Sequence, residues 1–412
     1  MARSTALVLT TRLPWPLDDG GRVVLWQSVV STARAHQVTL VSFVPPGTGD
    51  DPIPDAIRSA CARVVRVAHR PPPIWRAAWR GVAGRWPYTL ARYQDPEFAK
   101  AVAAAVEHDR PEFALVNHLH LAPYHEALGG VPMILREQNL EHRWMGRLAG
   151  SFGPTPAGLY AGYQAGRLRE AERELCERAA LVLAIQEGET AALRALAPRA
   201  RVETLPIGID LSRFLEPSPA KGPVVLLPGS FSWRPNVEGA IRFLEAGWPR
   251  VRAAEPRARL RLAGKKPPRP LVSAAARAGA EVAADVPSME EEFSRATVVV
   301  VPLWVGAGAR VKIVEAMAAR VPVVATPEAA EGLDLEPELH YRPAADAVGL
   351  GNAVAALLRD PAERERLAAQ GRLLAESRWS LERVAERQEE LIRKALGRVP
   401  PPPEGPAPAP DA

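Results

Sequence analysis

The sequence predicts an α/β protein built as two doubly wound domains facing across a cleft. Three observations lead there. Short apolar runs alternate with helical segments, the rhythm restarts after a proline-rich stretch, and 412 residues are too many for one ordinary core. Strands alternating with helices form parallel sheets covered on both faces, and such sheets bind ligands at the carboxyl ends of their strands.

In the first half, Thr5–Thr10 and Gln37–Val44 read as buried strands with a helix from about Gly21 to Ala35 between them. Val64–Ala68, Phe113–Asn117, Val131–Arg136 and Ala180–Ile185 continue the strand series, and Tyr160–Arg178 is a long charged helix. Glu216-Pro-Ser-Pro-Ala-Lys-Gly-Pro223 reads as linker. A second strand set follows: Val224–Leu227, Arg259–Ala263, Ala280–Ala283, Thr297–Pro302, Pro322–Ala325 and His340–Arg342. The expected division is a first domain over 1–205, a linker over 206–223 and a second domain over 224–378. A final helix over 379–397 should pack back across the junction, because Leu381, Val384, Ala385, Gln388, Leu391, Ile392 and Ala395 form one stripe. The Pro-rich tail, 398–412, should be disordered.

Composition narrows the class. Hydrophobic residues make up 47% and charged residues 24%, as in a soluble globular protein. Cys61 and Cys176 are too few for a disulfide framework and fit a reducing compartment. No apolar run approaches the roughly 18 residues that span a bilayer, and Ala6-Leu-Val-Leu9 is too short for a signal-peptide core. A cytoplasmic protein is expected, with the inner face of the membrane as an alternative site. The net charge of +5 comes mainly from arginine. Arg70, Arg76, Arg80, Arg85 and Arg92 are interleaved with Trp75, Trp79, Trp86, Tyr88 and Tyr93, with no acid among them. That mixture suits an anionic membrane surface. It suits equally a set of core tryptophans with solvated arginines. No nucleic-acid motif accompanies it, so no nucleic-acid partner is expected.

The chemistry concentrates in Gly306-Ala-Gly-Ala-Arg-Val-Lys-Ile-Val-Glu315, between the apolar run Val298–Trp304 and a helical pattern ending near Arg320. Gly306 and Gly308 let the backbone approach a ligand, and the helix start offers free N–H groups and a positive dipole end. Arg310 and Lys312 add two cations, a set that suits a diphosphate. Glu315 lies one turn on, at the edge of the arc of Val311, Val314, Met317 and Ala318, where a carboxylate can accept hydrogen bonds from sugar hydroxyls. A Gly-rich turn with solvated charges is the plain alternative.

Several motifs in order resemble GT-B-fold retaining glycosyltransferases of family 4. Thr11-Arg-Leu-Pro-Trp-Pro-Leu-Asp-Asp-Gly-Gly-Arg22 is similar to the family's first glycine loop. Pro206-Ile-Gly-Ile-Asp-Leu-Ser-Arg-Phe214 resembles the segment closing its first domain, and Leu227-Pro-Gly-Ser-Phe-Ser-Trp-Arg-Pro-Asn-Val-Glu-Gly239 the opening of its donor domain. Gly306–Ala318, with Val321-Pro-Val-Val-Ala-Thr326 and Ala330-Glu-Gly-Leu333, is the strongest match and follows the branch pattern Gly-x-Gly-x-Arg-x-Lys-x-x-Glu. Many members carry two glutamates there; Gly308 stands at the first, and Glu315 keeps the second.

The resemblance implies transfer of a sugar from a nucleoside-diphosphate sugar to a glycan, lipid-linked or small-molecule acceptor. Configuration would be retained, no metal or other cofactor needed, and bacterial surface polysaccharide or glycoconjugate synthesis served. Its donor site would comprise Gly229, Ser230, Arg234, Val286, Gly306, Ala307, Gly308, Ala309, Arg310, Lys312 and Glu315, with Glu315 on the ribose. Val286 falls where relatives read the nucleobase through backbone groups. No Asp-x-Asp metal motif occurs.

On the acceptor side, His118 and His120 follow a strand end facing the cleft, and either could orient substrate. Arg136-Glu-Gln-Asn-Leu-Glu141 resembles a His-Asn-x-Glu segment in relatives, making Glu137, Asn139 and Glu141 candidates. Helix capping explains Asn139 equally well. Gly20 and Gly21, before a helix, could admit a diphosphate or the acceptor. Rival readings are a nucleotide-sugar epimerase of the same fold and a non-catalytic scaffold. A nicotinamide oxidoreductase is disfavoured, since the turn from Thr10 to Gly21 lacks Gly-x-Gly-x-x-Gly.

Overall fold

The computed structural model describes residues 4–17, 19–214, 222–305 and 310–397. Gly306, Ala307, Gly308 and Ala309, part of the linker and the Pro-rich tail lie outside the described residues. The first sheet comprises β1 (Thr5–Thr10), β2 (Gln37–Val44), β3 (Arg63–Ala68), β4 (Phe113–Asn117), β5 (Met133–Arg136), β6 (Leu181–Ala184) and β7 (Val202–Thr204), in the order β3-β2-β1-β4-β5-β6-β7. The second comprises β8 (Val224–Pro228), β9 (Arg259–Gly264), β10 (Glu281–Ala284), β11 (Val298–Val301), β12 (Val323–Ala325) and β13 (Arg342–Pro343), in the order β10-β9-β8-β11-β12-β13. All pairs are parallel.

Near-continuous apolar strands such as Val298–Val301 are what a sheet buried on both faces requires, and all four of these valines are buried. Strand order reverses between β1 and β4 in one domain and between β8 and β11 in the other. Those two reversals open a crevice at the strands' carboxyl ends, and functional loops follow from that placement. β7 is absent from the sequence reading because three residues carry too little periodicity to register.

The chain crosses the junction twice. Ile209 N–H donates to Trp379 O at 2.7 Å and Leu381 N–H donates to Ile209 O at 2.9 Å, tying the crossings together. Beyond them the Leu381–Ala395 helix docks on the first domain. Gln388 Nε2 donates to Thr32 Oγ1 at 3.0 Å, His36 Nε2 meets Glu389 at 2.8 Å, and Val384, Leu391 and Ile392 join the core around β1 and β2. Arg136 is fully buried at the end of β5. Its guanidinium donates to Ala184 O, Leu205 O and Pro206 O at 3.3, 2.5 and 3.1 Å, bracing the start of the first crossing. Burial pushes it down to about 9.

The Arg70–Tyr93 segment divides between its two readings. Trp86, Tyr88 and Tyr93 pack against the first domain's core. Trp75 and Trp79, on the helix Ile74–Ala83, are exposed.

Candidate functional site

A cavity of about 470 Å³ lies between the domains where the two strand-order reversals face each other. Its size suits a ligand of several hundred daltons. The second domain supplies one wall from the loops after β8, β9 and β11. Gly229 N–H donates to Ala263 O at 3.0 Å and Phe231 N–H to Lys265 O at 2.9 Å, drawing the first two loops together. Gly264 makes that approach possible. Its φ is +152°, and a Cβ there would stand 1.7 Å from Gly229 O.

The helix Val311–Ala318 starts at this wall. Arg310 caps it in the left-handed region, φ 50°, and its Nη2 donates to Glu328 O at 3.1 Å. Lys312 Nζ donates to Asn236 Oδ1 at 2.8 Å, next to Gly229, where a Cβ would lie 3.2 Å from the ammonium. Burial, helped by the Arg310 charge, pushes Lys312 down to about 8. Burial also pushes Glu315 up to about 7, with Glu290 adding to the rise while Arg213 and Lys312 oppose it. Arg310, Lys312 and Glu315 therefore line one cavity with Gly229 and Ser230.

The first domain supplies the other wall. Asp19 accepts the Arg22 N–H at 3.0 Å as N-cap of the helix Gly20–Ala35, and also accepts from Arg12 Nη2 at 2.6 Å. Gly20 and Gly21 are the first two residues of this helix rather than a turn before it. A Cβ on Gly20 would lie 3.1 Å from Val311 Cγ2, so the starts of the two domains' helices almost touch across the cavity. A Cβ on Gly21 would meet the Arg12 guanidinium at 2.6 Å. Gln138 and Asn139 complete this side.

His118, His120, Glu137 and Glu141 do not line the cavity. They form a buried cluster beyond it, at the end of β4. His118 Nε2 is 3.8 Å and His120 Nε2 3.9 Å from the Glu141 carboxylate, and the imidazole centroids are 3.9 Å apart. Burial, reinforced by the Arg12 charge, pushes His118 down to about 4, and His120 is depressed in the same direction. Burial raises Glu141 to about 8, with Glu172 contributing. Glu137 is raised well above the carboxylate range by burial and by Glu172 and Glu141. At neutral pH both histidines are uncharged. The ligand atoms of His118, His120 and Glu141 lie within 4.8 Å of one another, close enough to surround a metal ion. Metal-bound histidines usually donate their other ring nitrogen to an acceptor, and neither Nδ1 has a partner among the described residues. The donor set fits a metal poorly.

Two donor-side residues sit elsewhere. The Arg234 side chain is 87% exposed and pairs with Glu238 at 2.6 Å, one turn along its own helix, so it does not reach the cavity. Val286 is partly buried against the second domain's core and does not line the cavity either. Conversely, Arg12, Asp19, Trp233, Asn236 and Lys265 line it without having been singled out from sequence. Lys265 was within reach, since it follows a strand that neighbours β8. Arg12 and Asp19 are brought together by an irregular segment that has no periodic signal.

Comparison with known proteins finds a family match over part of the chain. Residues 222–360 match the family model of glycosyl transferases group 1. This glycosyltransferase group 1 match covers β8 to the helix after β13, including Lys312 and Glu315. No curated protein sequence matches the chain. Solved structures match nearly throughout. Sucrose-phosphate synthase from Thermosynechococcus elongatus has a TM-score of 0.73 at 19% identity, covering 96% of this chain and 100% of that one. Anabaena HepE in complex with UDP-glucose has 0.64 at 14%, covering 95% and 99%. WaaG, a glycosyltransferase involved in lipopolysaccharide biosynthesis, has 0.64 at 15%, covering 94% and 99%. The fold is GT-B.

Proposed function

We propose that the protein transfers a sugar from a nucleoside-diphosphate sugar to a hydroxyl acceptor, as a family 4-like enzyme that retains anomeric configuration. The observation that carries this reading is the convergence of Arg310, Lys312 and Glu315 on one cavity with two facing helix starts. Helix N-termini and fixed cations suit a diphosphate, and Glu315, when ionised, suits the ribose hydroxyls. The match of residues 222–360 to glycosyl transferases group 1 supports it, as does the likeness to HepE, solved with UDP-glucose.

In the proposed reaction the bond between the anomeric carbon and the diphosphate oxygen breaks, and the leaving diphosphate takes the electron pair. The acceptor oxygen bonds to the anomeric carbon on the face just vacated, and its proton passes to the departing phosphate oxygen. Charge grows on the diphosphate, where Arg310 and Lys312 stabilise it without a metal. Any contact from Gly306 and Gly308 falls outside the described residues. Arg12, Asn139 and the starts of both helices would confine the acceptor. A lipid-linked or glycan acceptor at the inner face of a membrane, in surface glycoconjugate synthesis, is the setting we propose.

Glu315→Ala and Arg310→Ala should each cut transfer at least ~100-fold, the scale on which lost charge stabilisation is felt. The check is product formation from the donor that binds, with a panel of acceptors. Near-wild-type rates in both variants would place the donor site elsewhere. Release of an altered sugar without any acceptor would identify an epimerase.

A further inference from the structure

We propose that one face of the first domain, built from three helices, docks on the surface of a bilayer containing anionic lipid. The proposal rests on the glycosyl-transfer reading only for its purpose, which is to present a lipid-borne acceptor to the cleft. The helix Ile74–Ala83 turns Ala77 and Gly81 inward and leaves Ile74, Trp75 and Trp79 at 74, 73 and 68% exposure. It is held by the helix Pro156–Arg178. Tyr160 Oη donates to Ala78 O at 3.0 Å and Gln164 Nε2 to Gly81 O at 3.0 Å. Leu159 and Tyr163, their neighbours on that second helix, are themselves exposed. The third helix, Glu141–Phe152, adds exposed Trp144 and Phe152. Scattered exposed apolar residues need no explanation, but a set gathered on three adjoining helices marks an interaction surface.

Charge selects the partner. Residues 56–94 and 142–169, which contain all these exposed groups, hold no aspartate or glutamate. At the chain's average of 47 acids in 412 residues, stretches of that length would hold about eight. Arg70, Arg76, Arg80 and Arg143 are exposed among the aromatics. Tryptophan and tyrosine settle at headgroup depth, and arginine is attracted to anionic headgroups. A folded protein partner would satisfy the apolar groups but gives no reason for two long stretches without an acid.

The third helix joins this face to the active cleft. It begins just after Asn139, which lines the cavity, and the charge of its Arg147 acts on Arg310. A headgroup carried on a membrane-embedded lipid would have a short path along this helix into the cavity.

The test is cosedimentation of the full chain with vesicles of phosphatidylcholine alone and of phosphatidylcholine with phosphatidylglycerol. The protein should pellet with the anionic vesicles, release with added salt, and lose at least ten-fold in affinity in Trp75→Ser/Trp79→Ser. Thermal stabilisation by nucleoside diphosphate is measured on the same double variant, and should match wild type; that control shows the fold and donor site intact. No binding to anionic vesicles, or binding unchanged by the double substitution, overturns the proposal and leaves the donor-site reading standing. Self-association through this face in place of vesicle binding also overturns it.

Discussion

Lys312 and Glu315 lie one turn apart on the same helix, and burial moves their ionisation towards each other. Lys312 falls to about 8 and Glu315 rises to about 7. Below about 7 the carboxyl is protonated and loses its charge-assisted hydrogen bonds to ribose; above about 8 the lysine loses the charge it offers a diphosphate. kcat/KM should therefore peak between about 7 and 8, and Glu315→Gln should abolish the acid limb while leaving the alkaline one. A pH profile of the free enzyme's kcat/KM checks this. The buried Glu141 gives a separate signature. Its folded value near 8 exceeds the unfolded carboxylate value, so between those limits the folded state holds the extra proton. The sign follows: stability falls as pH rises from roughly 4.5 to 8. Glu141→Gln should flatten that fall and raise the melting temperature at pH 8. Calorimetric melts of both proteins across that range decide it.

At the level of elements, the cavity depends on backbone close approach as much as on side chains. Gly264 joins the loops after β8 and β9, and Gly239, on the helix Arg234–Arg242, has Pro302 O 1.8 Å from where a Cβ would be. Gly264→Ala should destabilise the second domain by about 3 kcal/mol or more, since both the left-handed φ and the contact must yield. Urea denaturation followed by tryptophan fluorescence should show the lower midpoint. These approaches explain what sequence could convey. Val298–Val301 and the helix from Val311 were readable because apolar periodicity is local. Arg310, Lys312 and Glu315 were readable because one short motif holds them at helical spacing. Asn236 against Lys312, 76 residues apart, is set by a strand-order reversal that no local pattern records. Arg234 follows a strand, but its turn of helix points the side chain to solvent and Glu238.

Across the whole molecule, two crossings and one buried arginine couple the domains. Gly208 packs where a Cβ would lie 3.1 Å from Val384, and Gln27 bonds both Pro206 O and the Gly208 N–H. The junction is thus built from the middle of the first domain's helix Gly20–Ala35, whose N-terminal end forms the cavity wall. Any change in domain spacing would be felt where Gly20 faces Val311, which is where a diphosphate would sit. Closure that excludes water suits a transferase, for which donor hydrolysis is the competing reaction. The two-domain frame and the cleft were legible in the sequence from the restarted strand rhythm. The depth of the His118–Glu141 cluster was not, because burial behind Arg12 arises only when β4, β5 and the segment after β1 assemble. The most direct test of the central claim is calorimetric titration of the full chain with UDP, GDP, ADP and dTDP. At least one should bind at a single site, with affinity lost in Lys312→Ala; failure of all four to bind would contradict a sugar-nucleotide site in this cleft.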